Sequence, residues 1–252
     1  MKQVSEIIRE LAGGEIRVSF DHKLRLPRNF DGRHWNMQGG CRGGGFAYYA
    51  LNTGGDSAQS ATRIIKIDLS TWQVVQTSED MYISHSNDMV YDPYNNRLIV
   101  SWCDIEPDKV GVVDPDTLKY KETLTVPQRH YSLGYSAERD RYVAGVSRTY
   151  DLAVLDGKFA PQYVLPGVEG YIKQGIECDG ELIYFLHSVK GESGLYVCNV
   201  VFVFDWDGKL VSRILVPYAA EGENLFTLDD KLVCAFNDKH TDEAVISVLS
   251  LS

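Results

Sequence analysis

The residues best suited to chemistry in this chain fall in five short segments: Trp35-Asn36-Met37-Gln38-Gly39, His85-Ser86-Asn87-Asp88-Met89, Arg129-His130-Tyr131-Ser132-Leu133, Tyr171-Ile172-Lys173-Gln174-Gly175 and Glu221-Gly222-Glu223-Asn224-Leu225. Aligned on one another, they give a column that is polar throughout: Gln38, Asp88, Ser132, Gln174 and Asn224. Glu223 is the candidate acid or base, with His85, Asp88 and His130 assisting. Carboxyl and imidazole groups pass protons to and from a substrate without a cofactor. Gln38, Asn87, Ser132, Lys173, Gln174, Glu221 and Asn224 are candidates for holding a polar substrate, and Trp35, Tyr131 and Tyr171 for its aromatic walls. Cyclisation, elimination and hydrolysis all suit such a set.

Alternatives stand beside this reading. A ring of polar side chains also fills a narrow channel together with water, with no ligand. Asp88 and Glu223 have the residue types of a glycosidase carboxylate pair, whereas Glu223 beside Lys173 reads equally as an ion pair. His85, His130 and Asp88 lack the close spacing of a metal site, so no metal ligand is expected. Gly39-Gly40-Cys41-Arg42-Gly43-Gly44-Gly45 is followed by an extended run, not by Gly-Lys-Ser/Thr and a helix. It reads as a strand or bulge and not as a phosphate loop. Gly134-Tyr135-Ser136-Ala137-Glu138 lacks the final glycine of a nucleophile elbow.

Five similar segments require five similar elements to hold them, and the chain supplies a repeat of about 45 residues. One mark is a β-rich run ending in aspartate: Ile64–Asp68, Val110–Asp114, Leu152–Asp156 and Phe202–Asp205. Turn chemistry follows each, as in Gly157-Lys158 and Trp206-Asp207-Gly208. A second mark precedes it in five copies: Phe46–Leu51, Arg97–Trp102, Arg141–Val146, Leu182–Leu186 and Lys231–Phe236. Each unit therefore reads as four short strands. Short strands at even spacing predict an all-β chain, a single five-bladed β-propeller domain spanning residues 1–252. The blades fall at about 35–80, 85–127, 130–168, 171–217 and 221–252. A β-sandwich is the alternative, but it does not explain a four-strand period.

The last unit has only three strands. The N-terminus offers the fourth, at about 15–27, where Ile16–Phe20 and Lys23–Leu26 are extended in type. Sharing a blade between the two chain ends removes an exposed sheet edge. Val4, Ile7, Ile8 and Leu11 predict one short amphipathic helix within 1–13.

Lys and Arg number 25 against 35 Asp and Glu, a net charge of -10. That balance disfavours nucleic acid and anionic membranes as partners. The five cysteines have no Cys-x-x-Cys pair, and most sit in apolar runs, which suits buried thiols in a reducing compartment. The N-terminus has no long apolar segment of the signal-peptide type, and no run reaches membrane-spanning length. The expected location is cytoplasmic and the expected partner a small-molecule or peptide-like ligand.

The motifs His85-x-Asn87-Asp88-Met89-x-Tyr91-x-Pro93, Gln174-Gly175-Ile176-x-Cys178-Asp179 and Glu221-x-Glu223-Asn224-Leu225-Phe226 resemble a set of bacterial propeller proteins without an assigned function. The resemblance runs from about residue 35 to the end. More distantly, the Gln38-Gly39 and Gln174-Gly175 pairs are similar to the plant-type glutaminyl cyclases, five-bladed enzymes that cyclise N-terminal glutamine. That resemblance implies a site built from Glu, Gln, Asn, Lys and Trp at the channel mouth. Glu223, Gln38, Gln174, Asn224, Asn87, Lys173 and Trp35 match those types, although the chain lacks that family's full Phe-Thr-Gln-Gly-Leu opening. The expectation is an enzyme that transforms a small polar or peptide-like molecule at the channel mouth. The alternative is a propeller that binds a ligand or protein without chemistry.

Overall fold

The computed structural model describes residues 2–54, 60–103 and 106–252. Among the described residues the chain forms five four-stranded antiparallel blades. Blade 1 comprises Asn36–Gly43, Phe46–Asn52, Thr62–Asp68 and Gln73–Thr77. Blade 2 comprises Asp88–Asp92, Arg97–Ser101, Lys109–Val113 and Tyr120–Thr125. Blade 3 comprises His130–Ser136, Arg141–Val146, Leu152–Asp156 and Pro161–Leu165. Blade 4 comprises Ile172–Cys178, Leu182–Lys190, Tyr196–Asp205 and Leu210–Val216. Blade 5 takes Glu221–Leu228, Lys231–Asp238 and Glu243–Leu251 from the C-terminal end and Val18–Pro27 from the N-terminal end. The first strand of each blade lies against the first strands of both neighbours, closing a ring around the axis.

The recurring aspartate has a local cause. Asp68 accepts the Ser70 N–H, Asp114 the Asp116 and Thr117 N–H groups, Asp156 those of Lys158 and Ala160, and Asp205 those of Asp207 and Lys209. Each carboxylate closes the turn from third to fourth strand, satisfying backbone donors that the sheet leaves over. The fourth strand swings back after a residue at positive φ, at Trp72, Leu118, Phe159 and Gly208. In blade 5 this turn is replaced by the shared edge. Arg17 and Ser252 exchange backbone hydrogen bonds of 2.9 and 3.1 Å, and Val18 to Pro27 pairs with Leu251 to Glu243.

The apolar runs of the second and third strands are continuous because each blade is buried on both faces. A hydrophobic cluster fills each interface between adjacent blades. Tyr49 and Ile65 of blade 1 meet Phe226 and Val233 of blade 5, for example, while Phe185 and Phe202 of blade 4 meet Val143 and Val154 of blade 3. Outer strands such as Tyr120–Thr125 are largely exposed. The helix Val4–Leu11 inserts fully buried Val4 and Ile8 into the cluster between blades 4 and 5. A two-residue hairpin, Asn29–Phe30 with Arg33–His34, precedes blade 1.

Candidate functional site

The first strand breaks register with the second near its start in four of the blades. The irregularities lie between Met37 and Gly40, His130 and Ser132, Lys173 and Ile176, and Gly222 and Asn224. The residues released from pairing are Gln38-Gly39, Tyr131, Gln174-Gly175 and Glu223. A bulge re-aims side chains at the end of a sheet, and here it delivers Gln38, Gln174 and Glu223 to one mouth of the ring. The glycines of the two Gln-Gly pairs answer a packing demand. A Cβ on Gly39 would lie 2.3 Å from the backbone of Asp88, and one on Gly175 3.0 Å from Asn224. Only glycine lets neighbouring first strands approach so closely.

Below the mouth the axis is closed by Asp88. This side chain is fully buried, and its oxygens accept the N–H groups of Met89 (2.9 Å), Leu133 (3.1 Å) and Ile176 (2.9 Å) and the Asn224 amide (3.0 Å). One carboxyl group thus ties blade 2 to blades 3, 4 and 5, while Gly39 of blade 1 packs on its backbone. Burial pushes its pKa up to about 8, against the opposing pull of those four donors. Ser132 and Asn224 are likewise fully buried. Three members of the polar column therefore form the floor or plug of the channel. The other two, Gln38 and Gln174, face a cavity above it.

That cavity has a volume of about 380 Å³, within the usual range for small-molecule sites. Seven of the residues singled out from the sequence line it: Gln38, His85, Asn87, Lys173, Gln174, Glu221 and Glu223. Asn36, Gly54, Ile172 and Lys239 complete the lining. Glu223 is only 4% exposed. Burial, and then the negative charge of Glu221, hold its carboxyl well above the usual carboxylate range. Its Oε1 accepts the Asn237 amide at 2.7 Å, and the same amide nitrogen donates to the Met37 carbonyl at 2.9 Å. Asn237 thereby orients Glu223 and joins blade 5 to blade 1.

Glu221 has the opposite environment. It pairs with Lys239 at 3.0 Å and accepts the Tyr196 hydroxyl. Two carboxyl groups on one strand therefore stand in different surroundings, one paired with Lys239, the other buried so that desolvation raises its pKa. Across the cavity Lys173 donates to the carbonyls of Val146 (3.1 Å) and Thr149 (2.6 Å), with its Nζ 4.1 Å from the centre of the Tyr131 ring. Burial lowers its pKa. An ammonium has three donors, so one remains after the two carbonyls. Gln38 is 6% exposed, and its Oε1 has no hydrogen-bond partner among the described residues.

The other candidates lie elsewhere. His130 is fully buried, bonded through Nδ1 to the Gln128 carbonyl at 2.9 Å, and burial lowers its pKa. Tyr131 backs Lys173 from the cluster between blades 3 and 4. Tyr171 packs on His187 and Phe202. Trp35 is buried between blades 5 and 1, stacked on Phe30 and bonded to Asp31, and it lines a separate apolar side pocket. Among the described residues no group of three or more His, Cys, Asp or Glu is placed to hold a metal ion.

The sequence reading missed Lys239, Asn36 and Asn237. Lys239 and Asn237 lie where the second strand of blade 5 turns toward the third, and these turns rim the same mouth as the first-strand starts. Extending the alignment to the ends of the second strands would have found both.

The fold and the site define a five-bladed β-propeller with a polar pocket at one channel mouth. The sequence matches no family model and no curated protein. Among solved structures, a glutaminyl cyclase from Myxococcus xanthus superposes with a TM-score of 0.57 at 14% identity, covering 94% of this chain and 99% of that one. A DUF4221 family member from Bacteroides vulgatus gives a TM-score of 0.51 at 12% identity, covering 94% and 99%. The tail fibre of the Staphylococcus aureus phage P68 gives 0.61 at 8% identity, covering 97% of this chain but only 55% of the fibre chain. These likenesses establish the fold. No helix among the described residues is long and apolar enough to cross a membrane, and all five cysteines are free thiols.

Proposed function

We propose that the mouth pocket binds and transforms a small polar or peptide-like molecule by acid/base chemistry without a cofactor. The observation that carries this reading is Glu223, a buried carboxyl group that faces a cavity of ligand size and whose pKa is raised by that burial. A neutral carboxyl group can both donate and recover a proton near neutral pH. Lys173, with one donor left over, and Gln38 and Gln174 are suited to hold a carbonyl or carboxamide. His85 and Asn87 stand on the adjoining wall. The leading candidate reaction is cyclisation of an N-terminal glutamine, because a glutaminyl cyclase shares the fold. In that reaction the α-amine nitrogen attacks the side-chain carboxamide carbon, a ring C–N bond forms, and the exocyclic C–N bond breaks with release of ammonia. Glu223 would protonate the leaving nitrogen and recover a proton from the attacking amine. The free thiols suit a reducing compartment such as the cytoplasm.

The test is mass spectrometry of a panel of peptides with N-terminal glutamine, glutamate or asparagine after incubation with the protein. Loss of ammonia from the glutamine peptides with wild type, reduced at least about 100-fold in Glu223→Gln, is the expected result. Saturable peptide binding with no turnover would instead favour the second reading, a non-catalytic binding module. That reading draws on the bonds Glu223 and Lys173 already make within the protein.

A further inference from the structure

The opposite mouth of the channel is also a cavity, of about 260 Å³, to which all five blades contribute. Its centre is Glu177, one residue before the end of the first strand of blade 4. Both hydrogen bonds to Glu177 come from Thr227 of blade 5 and reach the same oxygen: N–H at 3.3 Å and O–H at 3.1 Å. The second carboxylate oxygen has no partner among the described residues. Tyr91 and Tyr135 stand in the lining on blades 2 and 3, and Gly43 leaves room for the Tyr91 ring, whose atoms lie 2.6 Å from where a Cβ would be. Arg42, on the rim from blade 1, is exposed and makes no ion pair among the described residues.

The charges around the cavity favour a cation. Asp179 on the same strand's end is fully engaged by the Glu181 and Leu182 N–H groups and the Tyr184 hydroxyl, each at 2.7 Å. Glu138 of blade 3 accepts the Ser136 hydroxyl at 3.2 Å. Among the described residues that line the cavity, three carboxyl groups therefore stand with one basic side chain, Arg42. Cys41 and Cys178, also in the lining, have thiols raised well above their ordinary range by burial and stay neutral. A carboxylate with a free oxygen beside aromatic rings is the arrangement that holds organic cations elsewhere.

We infer that this second mouth is a binding site for a small organic cation, a primary amine or guanidinium compound, with Glu177 as its counter-ion and Arg42 as the protein's own competing cation. It is distinct from the Glu223 pocket and independent of what that pocket does. Burial raises the Glu177 carboxyl to about 7, and Arg42 acts in the opposite direction. An ion pair needs the ionised carboxylate, so the cation should bind more tightly at pH 8 than at pH 6.

Calorimetric titration with agmatine tests this in the full-length chain. Wild type should bind saturably, about tenfold more weakly at pH 6 than at pH 8. Glu177→Gln should lose at least about tenfold in affinity at pH 8 together with the pH dependence. Arg42→Ala, an exposed position that leaves folding intact, should tighten binding severalfold. That arm holds the proposal to account even where Glu177→Gln folds poorly. Absence of saturable binding by wild type, or weaker binding in Arg42→Ala, would overturn the inference. So would retention in Glu177→Gln with loss in Glu223→Gln, which would put the cation at the other mouth.

Discussion

Asp88 and Glu223 carry the same functional group on the first strands of two blades, and the structure gives them different work. Asp88 has four donors directed at it and no access to a cavity, so its role is to join blades. Replacing it by alanine leaves those buried donors without an acceptor. At about 1–3 kcal/mol per unsatisfied group, relieved in part by relaxation, Asp88→Ala should cost at least about 3 kcal/mol in urea denaturation. Glu223 has one donor and a cavity, so Glu223→Gln should fold normally and change ligand handling. His187 makes a third case. It is fully buried among Phe185, Phe202 and Tyr171, neither ring nitrogen has a hydrogen-bond partner among the described residues, and burial drives its pKa down to about 3. His187→Phe removes two unsatisfied polar atoms at nearly constant volume. It should raise stability by about 1 kcal/mol, read as a higher melting temperature.

At the scale of elements, the first strands and the shared blade carry the argument. The bulges place the pocket residues, and Gly39 makes the crowding tolerable. Gly39→Ala would drive a Cβ into the Asp88 backbone, which cannot yield as a flexible side chain can. A loss of about 3 kcal/mol, with disturbance of both the plug and the pocket, is expected from urea titration. The helix matters for the same reason as the closing strand: it covers the seam between blades 4 and 5. Ile8 is fully buried there, so Ile8→Ala should cost about 2–4 kcal/mol although it lies far from either mouth.

At the scale of the whole molecule, the buried acids make folding a proton-uptake process near neutrality. Glu177 (about 7) and Glu223 (raised by burial) hold protons in the folded chain at a pH where the unfolded chain has released them. The folded state then binds more protons, so stability falls as pH rises, by about 1.4 kcal/mol per pH unit for each proton. The neutral buried histidines His130 and His187 act in the opposite sense, but only below about pH 6.5. Thermal melts should therefore show a falling melting temperature from pH 6.5 to 8.5. Glu177→Gln should flatten that fall around pH 7. A melting temperature that rises across this range would contradict the assignment.

The sequence by itself determined the repeat, the blade count and the manner of closure, because these rest on local chemistry written once per blade. The aspartate marks a turn through its own side chain. The apolar second and third strands announce burial on both faces, and a missing strand at one end matches an extended segment at the other. It also supplied most of the mouth residues, since the first strands start at equivalent places, four of them with a bulge, and deliver side chains from constant columns. Only the tertiary structure decided which member of a column faces a cavity. Gln38 and Gln174 stand above the plug while Asp88, Ser132 and Asn224 form it, and Trp35, at the head of its segment, turns into the seam between two blades. Those outcomes depend on how neighbouring first strands pack across the axis, which no single strand records. The same is true of Glu177. In the sequence it is only the unspecified position of Gln174-Gly175-Ile176-x-Cys178-Asp179, and it becomes a candidate site only because the five blades converge on it from the far side.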